Sequence, residues 1–185
     1  MNRFIIVIFM NYMLLTSCGF YSMAGSIPPH IKTVAIPLMD NETAEFGLAE
    51  ALTDGLLKRF NEEGILDITD KLKAHSILQG TVKKVHEGPY TYNKTESVSE
   101  YRYKIDVRLV WYDAKQEKNL LEGTYSGFGA YGLSGDIASD GIDNDNDGKI
   151  DGDDEDEFGE PRAFATQVAV RKIAEDILND IMTTW

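Results

Sequence analysis

The chain has one cysteine, Cys18, among 185 residues, so no disulfide can form within it. It has three histidines, His30, His75 and His86, far apart and at no metal-ligand spacing. It has no surplus of positive charge: 18 Lys and Arg stand against 31 Asp and Glu, a net charge of −13. Without a basic excess to meet phosphates, nucleic-acid binding is excluded as a main role. No phosphate-cradling loop is present, and the GFGAYG run at 127–132 lacks the strand-to-helix setting of a dinucleotide site. No serine sits in a nucleophile elbow. These absences exclude the common catalytic constellations, and the chain reads as a non-enzyme.

What is present is unevenly spread. Residues 136–160 hold twelve of the acidic residues and one Lys, a net of −11. The remainder, with 19 acidic and 17 basic residues, nets −2. The body is therefore nearly neutral and its acidity is a local graft. Within the graft, DNDNDGKIDGDD places Asp143, Asp145, Asp147 and Asp151 at positions 1, 3, 5 and 9 of a twelve-residue calcium loop. Gly148 occupies the sharp turn at position 6, Lys149 would give its carbonyl at position 7, and Asp154 takes position 12, where a bidentate Glu is usual. Hard oxygen ligands at this spacing predict one Ca²⁺. The glycine-rich YSGFGAYGLSGD upstream cannot supply an EF-hand helix, so the loop resembles the isolated calcium loops of dockerin and thrombospondin-type repeats.

The N-terminus, MNRFIIVIFMNYMLLTSCGF, has Arg3 before an apolar run at 4–15 that is short for a membrane span, then small residues before Cys18. This reads as a signal peptide over 1–17. The LTSC ending resembles the bacterial lipobox, which predicts lipidation of Cys18 and a tether over 18–30. Gly19 in the next position favours an outer-membrane destination, with the domain lipid-anchored on the periplasmic side.

Residues 31–185 read as one domain. IKTVAIPLM is a strand with Pro37 near its end. Residues 43–63 are helical, with Leu48, Leu52, Leu56 and Phe60 four apart and Gly64 as the C-terminal cap. ILDITD and HSILQGTVKKVHEG are strands. VSEYRYKIDVRLVWYD alternates strictly: Tyr101, Tyr103, Ile105, Val107, Leu109 and Trp111 on one side, Arg102, Lys104, Asp106, Arg108, Val110 and Tyr112 on the other. LLEGTYSGFGAYG is its return strand. Pro161 opens a final helix with Val170, Ile173, Ala174, Ile177 and Ile181 as its apolar stripe. The order predicts an α+β two-layer sandwich, one sheet with both helices on one face. The insert at 134–160 falls between the last strand and the last helix. Arg102, Lys104 and Arg108 on the outer sheet face, with Lys83 and Lys84 nearby, are candidates for contact with an anionic lipid.

Several stretches together resemble the LptE-type lipoproteins of lipopolysaccharide assembly: LTSC with Gly19, Tyr21 and Ser22, SIPPHIKTVAIPLMDNET, GLAEALTDGLLKRF, AHSILQGTVKKV, SEYRYKIDVRLVWYD and AVRKIAEDILNDIMTTW. The resemblance covers nearly all of the chain outside residues 134–160. It implies a two-helix, four-stranded sandwich tethered to the outer membrane. It also implies insertion into an LptD-type barrel partner and delivery of lipopolysaccharide to the surface. The insert departs from the family pattern. Two other readings stay open on the sequence. VAIPLMDNET, a helix and ILQGTV also resemble the N-terminal module of TolB and of curli-secretion lipoproteins, an envelope scaffold. The third is a stand-alone calcium-binding lipoprotein.

Overall fold

The structure is a computed structural model; it describes residues 27–132, 139, 141, 143, 148–150, 153 and 159–183. The elements run β1 (Thr33–Ala35), β2 (Asp40–Asn41), α1 (Leu48–Glu63), β3 (Asp67–Ile68), β4 (Ser76–Tyr92), β5 (Val98–Asp113), β6 (Lys118–Gly132) and α2 (Pro161–Thr183). The α+β class is as the sequence predicts. The sheet is not four-stranded: it is a mixed sheet of six, ordered β3-β1-β4-β5-β6, with β2 also paired to β4. Three long antiparallel strands form its body, and three strands of two or three residues add parallel pairings at one side.

The expected strand over 31–39 is shortened to Thr33–Ala35 for a local reason. Pro37 has no N–H to give a ladder. Two residues on, the Met39 N–H donates to Thr53 Oγ1 of α1 at 3.0 Å instead of to a strand. Helix α1 begins at Leu48, later than the apolar pattern alone predicts. Asn41 holds the preceding segment in a turn, accepting the Thr43 N–H at 2.9 Å and donating to the Glu45 carbonyl. Gly47, at φ 76°, then starts the helix in a conformation that favours glycine. Gly64 closes it at φ 61°, its N–H bonded to the Phe60 carbonyl. Strand β4 runs past Gly88-Pro89 to Tyr92 because β5 pairs with it throughout, with irregularities on either side of Thr91.

Alternation along β5 buries Tyr103, Ile105, Val107, Leu109 and Trp111, each 1% exposed or less. They share one core with Leu78 and Val82 of β4, Leu52, Leu56 and Phe60 of α1, and Ile173, Ile177 and Ile181 of α2. Both helices therefore cover the same sheet face, and among the described residues no element covers the other. Each fully buried large apolar side chain contributes roughly 1.5–3 kcal/mol.

The glycines of β6 set how close the last helix comes. Gly127 and Gly129 pair with Ile105 and Tyr103 and face inward. A Cβ at Gly127 would lie 2.1 Å from the Ala169 carbonyl oxygen, and one at Gly129 would lie 2.3 Å from that of Ala165. The backbone of α2 thus rests on the backbone of β6.

The long strands give the molecule two distinct ends. At 17 residues, β4 spans roughly 50 Å. The chain enters at the end where β4 begins and β5 finishes, held there by His30, whose Nε2 lies 2.6 Å from Oδ2 of the buried Asp113. The insert is rooted at the other end, where β6 finishes and α2 begins.

Candidate functional site

The open sheet face carries the predicted cationic residues, and the structure separates them by what each one meets. Lys104 is paired with Asp106 at 2.8 Å, and Asp106 also accepts the Ser126 hydroxyl at 2.6 Å. Burial alone would raise the Asp106 pKa. The hydrogen bonds from Lys104 and Ser126 and the Lys104 charge outweigh it and hold the carboxyl below its usual value. Arg108 is bonded to Glu122 of β6, which Asn119 also contacts. Lys83 is bonded to Glu42, and Lys84 stands exposed opposite Asp106 in the ladder. Arg102 is different: its guanidinium lies 5.3 Å from the Tyr90 ring centroid and 5.7 Å from that of Phe128. Lys172, from α2, brings its Nζ to 5.1 Å from the same Phe128 ring. The sequence names Arg102 but not Lys172, Phe128 or Tyr90. Those three come from separate elements, and only the close seating of α2 on β6 lets a helix residue reach a ring on the open face.

A second cluster stands at the root of the insert. Arg162, in the first turn of α2, makes three hydrogen bonds of 3.1 Å to Glu87 of β4 and one of 2.9 Å to Glu45 before α1. Its guanidinium lies 4.8 Å from the Tyr103 ring centroid. The Tyr131 hydroxyl also bonds Glu87. Burial pushes Glu87 up, but the hydrogen bonds from Arg162 and Tyr131 and the Arg162 charge more than reverse this and lower its pKa. Tyr131 is pushed up to about 12 by burial and by the carboxylate it bonds. This network ties four elements and the segment before α1 together next to the insert. Nothing in the local sequence signals it, because Glu45, Glu87, Tyr103, Tyr131 and Arg162 are scattered along the chain.

Of the calcium-loop residues, Asp143 and Lys149 are described, and Asp145, Asp147, Asp151 and Asp154 lie outside the described residues, as does Cys18. The Gly148 N–H donates to Asp143 Oδ2 at 3.0 Å, with Gly148 at φ 97°. The histidines form no cluster of three or more metal-ligating side chains among the described residues. His30 meets Asp113, His75 Nδ1 accepts the Lys32 N–H at 3.1 Å, and His86 is exposed on the open face opposite Lys104. Among the described residues no helix is long and apolar enough to cross a membrane.

No curated protein matches the chain in sequence. Its fold does match solved structures. The hypothetical protein CT253 from Chlamydia trachomatis is similar at a TM-score of 0.52 and 12% identity, over 82% of this chain and 98% of that one. Protein XCC0632 from Xanthomonas campestris is similar at 0.53 and 10%, over 83% and 85% of the two chains. At these identities the likeness concerns fold alone. A minor lipoprotein from Acinetobacter baumannii aligns at 0.47 and 13%, over 83% and 92%. The family model of LptE, described as lipopolysaccharide-assembly, matches residues 31–184, the sandwich from its first strand to the end of its last helix. The chain therefore belongs to the LptE lipopolysaccharide-assembly family.

Proposed function

We propose that this protein is a non-enzymatic outer-membrane lipoprotein, anchored through Cys18, that partners an LptD-type barrel in lipopolysaccharide transport. The observation that carries the reading is the family match over residues 31–184. The fold is consistent with it. The chain enters at one end of a sandwich whose long strands extend roughly 50 Å, so an anchor near residue 18 leaves the opposite end free to reach a partner. The open face offers Arg102, Lys104 and Arg108 toward an anionic lipid, with Lys104 and Arg108 partly neutralised by Asp106 and Glu122. In the same reading the insert takes one Ca²⁺ through Asp143, Asp145, Asp147, the Lys149 carbonyl, Asp151 and Asp154, and decorates a body that is complete without it. Its support is the ligand spacing and the left-handed Gly148 at the required turn.

Depletion of the protein tests the reading. Lipopolysaccharide should be lost from the cell surface and an LptD-type barrel should misassemble, and in undepleted cells that barrel should co-purify with the tagged lipoprotein. Normal surface lipopolysaccharide together with a normally assembled barrel would overturn it.

A further inference from the structure

We propose that Arg102, Lys172 and Phe128 form a binding site for a phosphate-ester headgroup on the open face beside β6, with Tyr90 as its second aromatic wall. The inference rests on the lipopolysaccharide reading above and narrows it to one place on the molecule. The starting observation is a contrast among cations. Lys104, Arg108 and Arg162 each have a carboxylate partner. Arg102 and Lys172 have none among the described residues; each has an aromatic ring in its place.

That substitution matters chemically. A guanidinium held beside aromatic rings spends none of its N–H groups on them, so these can take a bidentate oxyanion. The ring contacts also hold the cation in position before any anion arrives, which lowers the ordering cost of binding. Tyr90 and Phe128 stand 6.0 Å apart at 59°, and Arg102 contacts both. Lys172 adds a second cation at 5.1 Å from the same Phe128 ring, contributed from the other layer of the sandwich past the terminal strand β6. A phosphate ester brings a charge near −2 and three acceptor oxygens. Both cations, at 5.7 and 5.1 Å from the Phe128 ring centroid, supply charge to meet it. An acidic peptide fits less well, because a lone carboxylate leaves one of the two cations unmatched.

The experiment uses the full-length lipoprotein in detergent and measures equilibrium binding of lipid A, dephosphorylated lipid A, phosphatidylglycerol in mixed micelles and inorganic phosphate. Wild type should bind lipid A well above its dephosphorylated form. Arg102→Gln and Lys172→Gln should each weaken lipid A binding by about tenfold, the scale of one lost charge-assisted hydrogen bond. Lys172→Arg should retain most of it, and Lys104→Gln should change it little. Melting temperatures close to wild type will separate lost binding from lost fold. If phosphatidylglycerol or inorganic phosphate binds as tightly with the same dependence on Arg102 and Lys172, the phosphate site stands and its ligand is not restricted to glycolipid. Wild-type affinity in both Gln variants would overturn the site and leave the lipopolysaccharide reading intact. An equal loss in Lys104→Gln would also overturn it, because a diffuse field would then explain the binding. Failure of wild type to bind any of the four probes would overturn the site and count against the lipid-handling reading with it.

Discussion

Replacing Gly127 by alanine puts the contact between α2 and β6 to a direct test. The new methyl would sit 2.1 Å from the Ala169 carbonyl oxygen, 3.0 Å from its carbon and 2.9 Å from Ile173 Cγ1. Two of these three atoms are helix backbone and cannot rotate away. Relief requires α2 to retreat by about 1 Å, a gap that forfeits a quarter to a half of each dispersion contact it opens. The residues on that seam, Ala165, Ala169 and Ile173, are fully buried. Overpacking of this kind costs about 1–3 kcal/mol and sometimes more, and the stiffer unfolded chain of an alanine variant returns about 0.4–1 kcal/mol. The expected net loss is about 2 kcal/mol, or a fall in melting temperature of roughly 4–8 °C for a domain of this size. Gly129→Ala, 2.3 Å from the Ala165 carbonyl oxygen, should behave alike, and the double variant should lose less than both losses added, since one retreat relieves both clashes. Gly88→Ala, with nothing within 4 Å of its new methyl, is the control and should stay within about 0.5 kcal/mol of wild type. Thermal and urea melts of the four variants read this out. If Gly127→Ala melts with wild type, the helix does not rest on the strand backbone as described.

Four further outcomes follow from the same structure. Asp113 is fully buried and accepts the Lys115 and Gln116 N–H groups at 2.9 Å and a contact from His30, so Asp113→Ala should cost about 2–3 kcal/mol in urea unfolding; a loss under 0.5 kcal/mol would refute the role. Glu87 has a folded pKa below its ordinary value of 4.5, so its contribution is present above pH 4.5 and fades as pH falls through the lowered value. Arg162→Gln should weaken that decline between neutral and acid melts, and an unchanged pH profile would detach Glu87 from Arg162. Calorimetry should find one Ca²⁺ per chain with Kd on the order of 10⁻⁴–10⁻³ M, abolished by Asp143→Ala or Asp147→Ala, while chelator leaves the body melting cooperatively; global unfolding in chelator would show that the insert is no graft. Cys18→Ser should release the protein from the membrane fraction, and a variant of unchanged mass still in that fraction would end the lipoprotein reading.

The sequence by itself determined the long elements. Strict alternation from Tyr101 to Tyr112 fixed both the strand and its buried face, and the four-residue spacing from Leu48 to Phe60 fixed the α1 stripe, because burial against one partner surface needs only the local period. It also located the family, through the runs between Leu15 and Trp185 outside the insert, and it marked the insert by charge alone. Tertiary structure decided what depends on partners distant in sequence. The strand β2 is two residues long, too short for any periodic signal, and exists because β4 offers it a backbone partner; ILDITD is legible as a strand, but its parallel pairing with β1 is not. The glycines of GFGAYG read as poor helix and as no nucleotide loop, yet their use is to admit the α2 backbone, visible only once Ala165 and Ala169 lie across from them. Arg102, Lys104 and Arg108 are equivalent in the alternation pattern. Their neighbours make them different, since Asp106 and Glu122 neutralise two, while Tyr90 and Phe128 flank the third and Lys172 joins it from a helix some 70 residues on. Charge state and accessibility are properties of a surface, and the surface is assembled by the fold.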